Sequence, residues 1–301
     1  FILSGFILTY SYESRLRKKI VSIRSFYIAR FARIYPMHFV TMIAALILSL
    51  AVGNNDNYLL QNSLLIQSFY SDKDVFFSLN APSWSISDEM FFYLLFPIVL
   101  LFTANIRVFL FAFLTVLILY LNIHLDDGSK HYWLYISPVL RFADFLLGMI
   151  LYSIYKYLNT HYESLNNKGT ILEIVSISIF LIFFTFHLNL NISYRYSIYY
   201  WLPMFLIILA FAISGSSNNK GFISKILSNK YLVWLGEISF CFYLIHVLVI
   251  RVVGFIMNKI FFNVNLIILS SLCLIVTLIA SAIAYKFIEK PLNYKIKEYL
   301  L

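Results

Sequence analysis

The chain has 301 residues, of which 61% are hydrophobic and only 12% are charged. Soluble globular chains carry roughly 25% charged residues, so this composition excludes an ordinary soluble domain. The formal net charge of +9 is compatible with nucleic-acid binding, but the basic residues lie in segments between apolar runs, as the positive-inside rule produces. We therefore predict an integral membrane protein that binds no nucleic acid.

Apolar runs follow one another along the chain, and most approach the ~20 residues that cross a bilayer as a helix. We predict an all-α, polytopic helical membrane bundle that forms a single domain over residues 1–301. Glycine- and asparagine-rich linkers at 53–57, 126–129, 166–169 and 215–219 separate the runs. About nine spans are expected, the first of them partial: 1–10, 36–52, 90–105, 107–124, 136–156, 171–188, 198–214, 233–257 and 265–286.

The basic residues also predict the topology. When residues 11–35 are placed in the cytoplasm, 17 of the 23 Lys and Arg residues fall on the cytoplasmic side and four on the opposite side. This asymmetry is typical of membrane proteins. The C-terminus is then cytoplasmic, and 53–89 is the longest outside loop.

Arg30 and Arg33 stand at the cytoplasmic mouth of a predicted span, three residues apart and therefore on one helix face. The planar guanidinium fork suits phosphate, which favours a site for the phosphates of a coenzyme A thioester. A basic anchor that contacts lipid phosphates fits the same pattern, so both interpretations stay open.

A second cluster runs from Trp84 to Tyr93 and places Asp88 and Glu89 at the start of a predicted span. Acidic residues suit a first helical turn, and Ser85 or Ser87 can cap such a helix. Alternatively, Glu89 turns inward as an acid, a base or an orienting group. An ionisable group near the bilayer is costly and is therefore a functional candidate.

Arg141 and Asp144 lie three residues apart within the predicted span 136–156. At that spacing the two side chains can pair on one helix, and pairing alone accounts for their burial. Two charges within a span remain expensive, so we favour a polar cavity at this position.

Four polar residues recur at helical spacing within the predicted span 233–257: Glu237, Ser239, Tyr243 and His246. His246 is thus a titratable group in an apolar span. It is either a satisfied core histidine or a base or substrate-binding group.

Metal-ligand spacings, phosphate-binding glycine loops and nucleophile elbows do not occur in the sequence. Cys241 and Cys273 lie in apolar runs and are interpreted as small apolar side chains. We therefore predict no metal and no permanently bound cofactor.

Six motifs, in this order, resemble those of the acyltransferase-3 family of membrane acyltransferases. Each motif is loose, but together they extend from Phe1 to about Pro291, nearly the whole chain. They are Phe1-Ile2-Leu3-Ser4-Gly5-Phe6, Arg30 to Pro36, Trp84 to Glu89 with Phe92-Tyr93-Leu94 and Pro97, Arg141 with Phe145 and Gly148, Leu235-Gly236 to His246, and Glu289-Lys290-Pro291.

This resemblance implies transfer of an acyl group, usually acetyl, from acyl-coenzyme A to a hydroxyl of a cell-envelope polysaccharide or related carbohydrate. It implies a location in the bacterial plasma (inner) membrane and about ten spans in the full protein, of which one precedes Phe1. In the family that first span carries an Arg and then a His taken as the base.

On this resemblance the catalytic candidates are Glu89, Arg141 and His246. Glu89 would orient the base or the acceptor, and Arg141 or His246 would stabilise the developing oxyanion or hold acceptor groups. Arg30 and Arg33 would bind the phosphates of acetyl-coenzyme A, which is a substrate rather than a resident cofactor. The substrate-binding candidates are Ser4, Trp84, Ser87, Tyr93, Asp144 and Tyr243. Asp144 stands where the family more often has Glu.

Other classes stay open. A glycan or lipid transporter or flippase also places charges in spans but needs no coenzyme A site, so acetyl-coenzyme A binding separates the two classes. A glycosyltransferase or glycan polymerase would show a larger outside loop, and a purely structural membrane partner fits the clustered charges less well. The expected partners are acyl-coenzyme A, a carbohydrate acceptor and membrane lipids; no motif indicates a protein partner.

Overall fold

The computed structural model describes residues 1–53, 58–162, 168–216, 220–260 and 265–301. Every regular element within these ranges is helical, as predicted for an all-α bundle. The predicted linker residues 54–57 (with Asp56), 166–167 and 217–219 lie outside the described residues.

Fifteen α-helices occur in the described ranges. They are α1 (Ile2–Arg17), α2 (Ile23–Ala51), α3 (Leu59–Ser63), α4 (Lys73–Phe76), α5 (Trp84–Leu101), α6 (Ala104–His124), α7 (Asp127–His131), α8 (Pro138–His161), α9 (Gly169–Phe186), α10 (Ile192–Tyr196), α11 (Trp201–Ser216), α12 (Phe222–Leu227), α13 (Lys230–Ile260), α14 (Leu266–Ala284) and α15 (Lys290–Leu300). Short 3₁₀ turns lie at Gln67–Phe69, Ala81–Ser83 and His187–Asn189, and π-helical turns at Tyr132–Ile136 and Tyr285–Glu289.

Eight helical stretches of the described chain are long and apolar enough to cross a membrane. Each overlaps one of the complete spans predicted from the sequence, although the bounds differ by up to 14 residues, and α1 corresponds to the partial span. The helical membrane bundle is therefore confirmed. The stretches are Ile23–Ala51, Ala81–Leu101, Ala104–His124, Pro138–His161, Gly169–Asn189, Ile192–Ser216, Lys230–Met257 and Leu266–Leu300.

Residues 11–35, which lie between two predicted spans and are expected on the cytoplasmic side, are helical for most of their length. Helix α1 continues to Arg17 and α2 begins at Ile23. Ser22 caps α2, because its side chain accepts a hydrogen bond of 3.0 Å from the backbone N–H of Ser25. A helix that enters the polar membrane interface keeps its backbone bonds satisfied while its basic side chains stay hydrated, and hydropathy alone does not register this.

The described residues group into two compact units. The first unit comprises Phe1–Val21 and Phe91–Lys230, and the second comprises Ser22–Met90 and Tyr231–Leu301. Helix α5 begins in the second unit and ends in the first. The single domain predicted for residues 1–301 stays a prediction.

In the first unit, α1 and α8 cross where each contributes a glycine. A Cβ added to Gly148 would lie 2.7 Å from the backbone nitrogen of Phe6 and 3.0 Å from the Cα of Gly5. A Cβ added to Gly5 would overlap the carbonyl oxygen of Phe145. Small residues let helix backbones approach inside a bilayer, where packing drives association. The motifs around Gly5 and Gly148 are thus the two sides of one helix crossing.

Aromatic rings fill the neighbouring space between α5 and α8. The ring of Phe92 lies 5.3 Å from that of Phe145 and 5.1 Å from that of Phe1, measured between centroids. Phe92 and Phe145 are fully buried. Such edge-to-face and tilted pairs add to the stabilisation that burial provides, so they hold the N-terminal half of α8 in place.

A buried carboxylate joins three helices at the other end of the first unit. Glu173 on α9 accepts hydrogen bonds from Ser214 Oγ on α11 at 2.5 Å and from the backbone N–H groups of Ile223 and Ser224 at 2.9 and 3.1 Å. These donors stabilise the negative charge of the carboxylate within a span, so the burial of Glu173 is explained by its structural role.

Candidate functional site

A cavity of about 310 Å³ lies in the first unit among α1, α8, α10 and α11. We call it the aromatic cavity. Its volume falls at the lower end of ordinary ligand pockets, which run to about 1,000 Å³. The residues that define its chemistry are five aromatic side chains and three charged ones: Phe1, Tyr135, Tyr196, Tyr200, Trp201, Arg141, Asp144 and Arg195.

Arg141 is held in the wall of this cavity from several directions. Its Nη2 lies 3.0 Å from Asp144 Oδ2, and its Nη1 donates to the carbonyl oxygen of Tyr196 at 3.1 Å. The guanidinium also lies 5.2 Å from the ring centroid of Phe1 and 5.6 Å from that of Tyr135. The three-residue spacing therefore produces the predicted ion pair, and a polar cavity accompanies it.

Asp144 is only 4% exposed and contacts two partners. One carboxylate oxygen pairs with Arg141, and the other accepts a hydrogen bond from the indole N–H of Trp201. The aspartate side chain is thus long enough to reach Arg141 although the family more often has glutamate here. The pair is fixed by its neighbours, which is the property required of a group that positions a ligand.

Two predicted substrate-binding residues of the first unit lie elsewhere. Ser4 is partly exposed on α1, and Tyr93 is buried on α5. Neither is among the residues that line the aromatic cavity in the described part of the chain. Their roles stay predictions.

In the second unit, the described part of the predicted outside loop forms a buried polar network. Ser87 Oγ donates to the carbonyl oxygen of Leu65 at 2.6 Å and lies 2.7 Å from Ser68 Oγ. Asn62 joins the same segment to α2, since its carbonyl oxygen lies 2.9 Å from His38 Nε2. The hydroxyl of Ser87 is therefore engaged inside the protein and does not cap α5. Substrate binding by Ser87 stays a prediction.

The start of α5 also differs from the prediction. The helix begins at Trp84, directly after a 3₁₀ turn, so Asp88 and Glu89 lie in its second turn. The interpretation of these acids as first-turn charges is therefore wrong. Trp84 is 9% exposed, Asp88 is fully buried and Glu89 is half-buried. Such positions within a span keep Glu89 a functional candidate.

Helix α13 is bonded to the start of α5 within the second unit. The hydroxyl of Tyr243 donates to the carbonyl oxygen of Pro82 at 3.0 Å and lies 2.7 Å from Ser85 Oγ. Asn80 Nδ2 donates to the carbonyl oxygen of Leu244 at 2.9 Å. These bonds give Tyr243 a structural task, and its predicted substrate contact stays a prediction.

His246 lies one turn further along α13 and is half-buried. Its Nδ1 is 2.7 Å from the carbonyl oxygen of Tyr243. A carbonyl only accepts hydrogen bonds, so this contact places the proton on Nδ1 and leaves the lone pair on Nε2. That tautomer is the one in which Nε2 can accept a proton.

Arg33 has a partner that the sequence analysis did not assign. Its Nη1 pairs with Glu289 Oε1, and its guanidinium lies 5.5 Å from the ring centroid of Phe240. Glu289 is 2% exposed and also accepts from the thiol of Cys241 at 2.9 Å. The motif Glu289-Lys290-Pro291 was the available signal for this contact. Because its thiol donates this hydrogen bond, Cys241 is not only a small apolar side chain, as the sequence suggested.

We call a group of three cations in the second unit the basic edge: Arg30, Arg33 and Lys297. Arg30 precedes Arg33 by three residues on α2, and α15 packs along α2 in the second unit. Lys297 lies close enough to both arginines for their charges to act on it. Three neighbouring cations repel one another unless anions compensate them, and Glu289 supplies one carboxylate.

The described residues include no group of three or more His, Cys, Asp or Glu side chains arranged to hold a metal ion. The absence of a metal from the reaction stays a prediction.

Comparison with known proteins identifies a family. The model of acyltransferase-3, described as "Acyltransferase domain", matches residues 1–286. The chain is similar to "Acyltransferase MdmB" of Streptomyces mycarofaciens, 39% identical across 33% of this chain and 26% of that protein. It is also similar to "Putative O-acetyltransferase SACOL0978" of Staphylococcus aureus strain COL, 27% identical across 97% of this chain and 51% of that protein.

An uncharacterized protein of Haemophilus influenzae is 26% identical across 73% of this chain and 98% of its own length. The chain spans about half the length of the Staphylococcus relative and about a quarter of the Streptomyces one. No solved structure gives a significant match.

Proposed function

Since this chain belongs to the acyltransferase-3 family, we propose that it transfers an acyl group, in particular acetyl, from acyl-coenzyme A to a hydroxyl of a cell-envelope polysaccharide or related carbohydrate. The observation that carries the proposal is the match of the family model to residues 1–286. The aromatic cavity with its fixed Arg141–Asp144 pair supports it, because the cavity offers a small site with charged groups in its lining.

For the donor, we assign the basic edge. Guanidinium and ammonium groups bind phosphate oxygens through charge-assisted hydrogen bonds. Arg33 uses Nη1 for Glu289, and an arginine has further N–H donors. A phosphate bound here would relieve the repulsion among Arg30, Arg33 and Lys297, so the edge suits the phosphates of coenzyme A.

The proposed reaction is a direct transfer. A base removes the proton of the acceptor hydroxyl, the oxygen attacks the thioester carbonyl, and the coenzyme A thiolate leaves. On the family resemblance this base would be a histidine. Glu89 would orient the base or the acceptor, and Arg141 would stabilise the developing negative charge. His246 would hold the acceptor, because the lone pair on its Nε2 can accept a hydrogen bond from a hydroxyl.

We propose a bacterial plasma membrane location with a cytoplasmic C-terminus. In the first unit, α1 runs from Phe1, which lines the aromatic cavity, to Arg15 and Arg17 in its last turn. Basic residues favour the cytoplasmic side, so the cavity would face the opposite side, where envelope carbohydrate lies.

The donor assignment is tested with the purified full chain in lipid vesicles, radiolabelled acetyl-coenzyme A and a cell-envelope carbohydrate extract. We expect Lys297→Gln to raise the KM for acetyl-coenzyme A about tenfold with kcat little changed, because a tenfold change corresponds to ~1.4 kcal/mol of lost binding. Lys295→Gln is the matched control, since Lys295 is exposed on the same helix. An unchanged KM in Lys297→Gln would remove the basic edge from the proposal.

The transporter alternative predicts a different result in the same vesicles. It requires movement of the glycan without binding or consumption of acetyl-coenzyme A. Glycan transfer across the membrane with no acetyl incorporated would therefore overturn the proposed acyl transfer.

A further inference from the structure

We propose that the aromatic cavity binds an acidic sugar, whose carboxylate or phosphate group is held by Arg195. The identification of this sugar as the acceptor rests on the proposed function, whereas the preference for an anion follows from the cavity itself. Arg195 was not singled out as a site residue in the sequence.

The charges that line the cavity do not balance. Arg141 is compensated by Asp144 at 3.0 Å. Arg195 lines the same cavity, yet no carboxylate of the described chain pairs with it. Its Nε is buried and has no hydrogen-bond partner there. The lining thus carries one uncompensated positive charge on a half-buried side chain, and an anionic ligand group in the cavity would stabilise that charge.

The segment that carries Arg195 is held in position by its neighbours. Asn191 caps α10 by accepting from the backbone N–H of Ser193 at 3.0 Å. Ser193 Oγ donates to Asn122 on α6 at 2.8 Å. The next residue after Arg195 is Tyr196, whose carbonyl oxygen accepts from Arg141. Because the protein's own side chains and backbone make these contacts, binding would cost little ordering of the backbone.

The remainder of the lining suits a sugar ring. Aromatic side chains offer flat apolar faces that cover the C–H groups of a sugar. The cavity volume of about 310 Å³ accommodates a small ligand portion. An aromatic lining favours a sugar over the aliphatic chains of a lipid, although a lipid headgroup could supply the same anionic chemistry.

The test measures binding by isothermal calorimetry with the purified full chain in uncharged detergent micelles. The probes are methyl glucuronide and methyl glucoside, which differ in the carboxylate. We expect the glucuronide to bind at least about tenfold more tightly, since a charge-assisted hydrogen bond contributes on this scale. Equal affinities, or no binding of the glucuronide, would overturn the proposal.

Variants assign the preference to Arg195. Arg195→Gln should abolish the preference, and Arg195→Lys should retain part of it. Arg195→Met, which keeps much of the apolar stem, replaces the glutamine variant if that variant does not fold. Lys130→Gln is the matched control, because Lys130 is a cation of the same chain region that already pairs with Asp127 at 2.9 Å. A preference that survives in Arg195→Gln and Arg195→Met contradicts the assignment.

Two further experiments distinguish a sugar from a lipid headgroup as the anionic ligand, and the acidic acceptor from the proposed acyl transfer. In nanodiscs, loss of glucuronide binding with phosphatidylglycerol but not with phosphatidylcholine would assign the site to a lipid headgroup and overturn the sugar. Acetyl transfer to both sugars at equal kcat/KM would leave the proposed function standing and refute the acidic acceptor. Arg195-dependent binding without any acetyl transfer would support the anion site and refute the proposed function.

Discussion

Gly148→Ala should destabilise the protein through the crossing of α1 and α8. The added Cβ would lie 2.7 Å from Phe6 N and 3.0 Å from Gly5 Cα, well inside normal van der Waals contact. The atoms it meets belong to the backbone and cannot rotate away, so the helices must separate. Overpacking of this kind costs about 1–3 kcal/mol, and we expect a value near the upper limit.

Gly215→Ala is the matched control for this prediction. Gly215 lies in α11 of the same unit, and a Cβ there would have nothing within 4 Å. Both substitutions gain helix propensity, up to about 1 kcal/mol, so their difference isolates the steric cost. We expect Gly148→Ala to be less stable than Gly215→Ala by about 3 kcal/mol.

The assay is equilibrium unfolding in mixed micelles, with helicity and size-exclusion profiles followed for both variants. Because the helices pack through backbone contacts, loss of stability should appear together with a broader elution profile. If Gly148→Ala unfolds at the same denaturant concentration as Gly215→Ala, the close crossing is refuted.

Three further predictions concern charged groups. Asp144→Asn leaves Arg141 uncompensated and should lower the free energy of unfolding by about 3 kcal/mol. Addition of Arg141→Gln should recover part of that loss. A double variant that is no more stable than Asp144→Asn alone would contradict the pairing. Glu289→Gln should lower the free energy of unfolding by about 1–2 kcal/mol, because its partner Arg33 is 39% exposed and partly screened by water. The control is Glu298→Gln at an exposed position, which should change the free energy of unfolding by less than about 0.5 kcal/mol. The side chain and the backbone N–H of Ser129 donate hydrogen bonds to Asp126 and lower the pKa of its carboxyl group. The stabilisation from this helix cap is therefore fully present above the usual aspartate pKa, and it is lost as the pH falls through the lowered pKa. Asp126→Asn, which keeps a capping oxygen, should remove this pH dependence of amide hydrogen exchange in α7.

The site was only partly predictable because its contacts differ in sequence separation. Arg141 and Asp144 are three residues apart on one helix, so their spacing suffices to predict the pair. Arg33 and Glu289 are separated by 256 residues. Both residues were visible in motifs, but nothing local indicates that one bonds the other.

The segment before α5 shows the same limit. Serines next to an apolar run predicted a helix cap, yet Ser87 donates to Leu65, 22 residues earlier. A hydroxyl can satisfy several kinds of acceptor, so its partner depends on which backbone the fold brings near. Arg195 is a further example, since its proximity to Arg141 arises from the packing of α8 with the segment around α10.

The sequence by itself determined that the chain is a bundle of membrane helices and the order and approximate position of its spans. Transfer of a segment into a bilayer depends on about 20 contiguous residues, so this information is local. Only the tertiary structure decided which polar groups satisfy one another, where the aromatic cavity lies and that Arg195 enters it. Buried polar groups must find partners wherever packing places them, and those partners come from helices far apart in the chain.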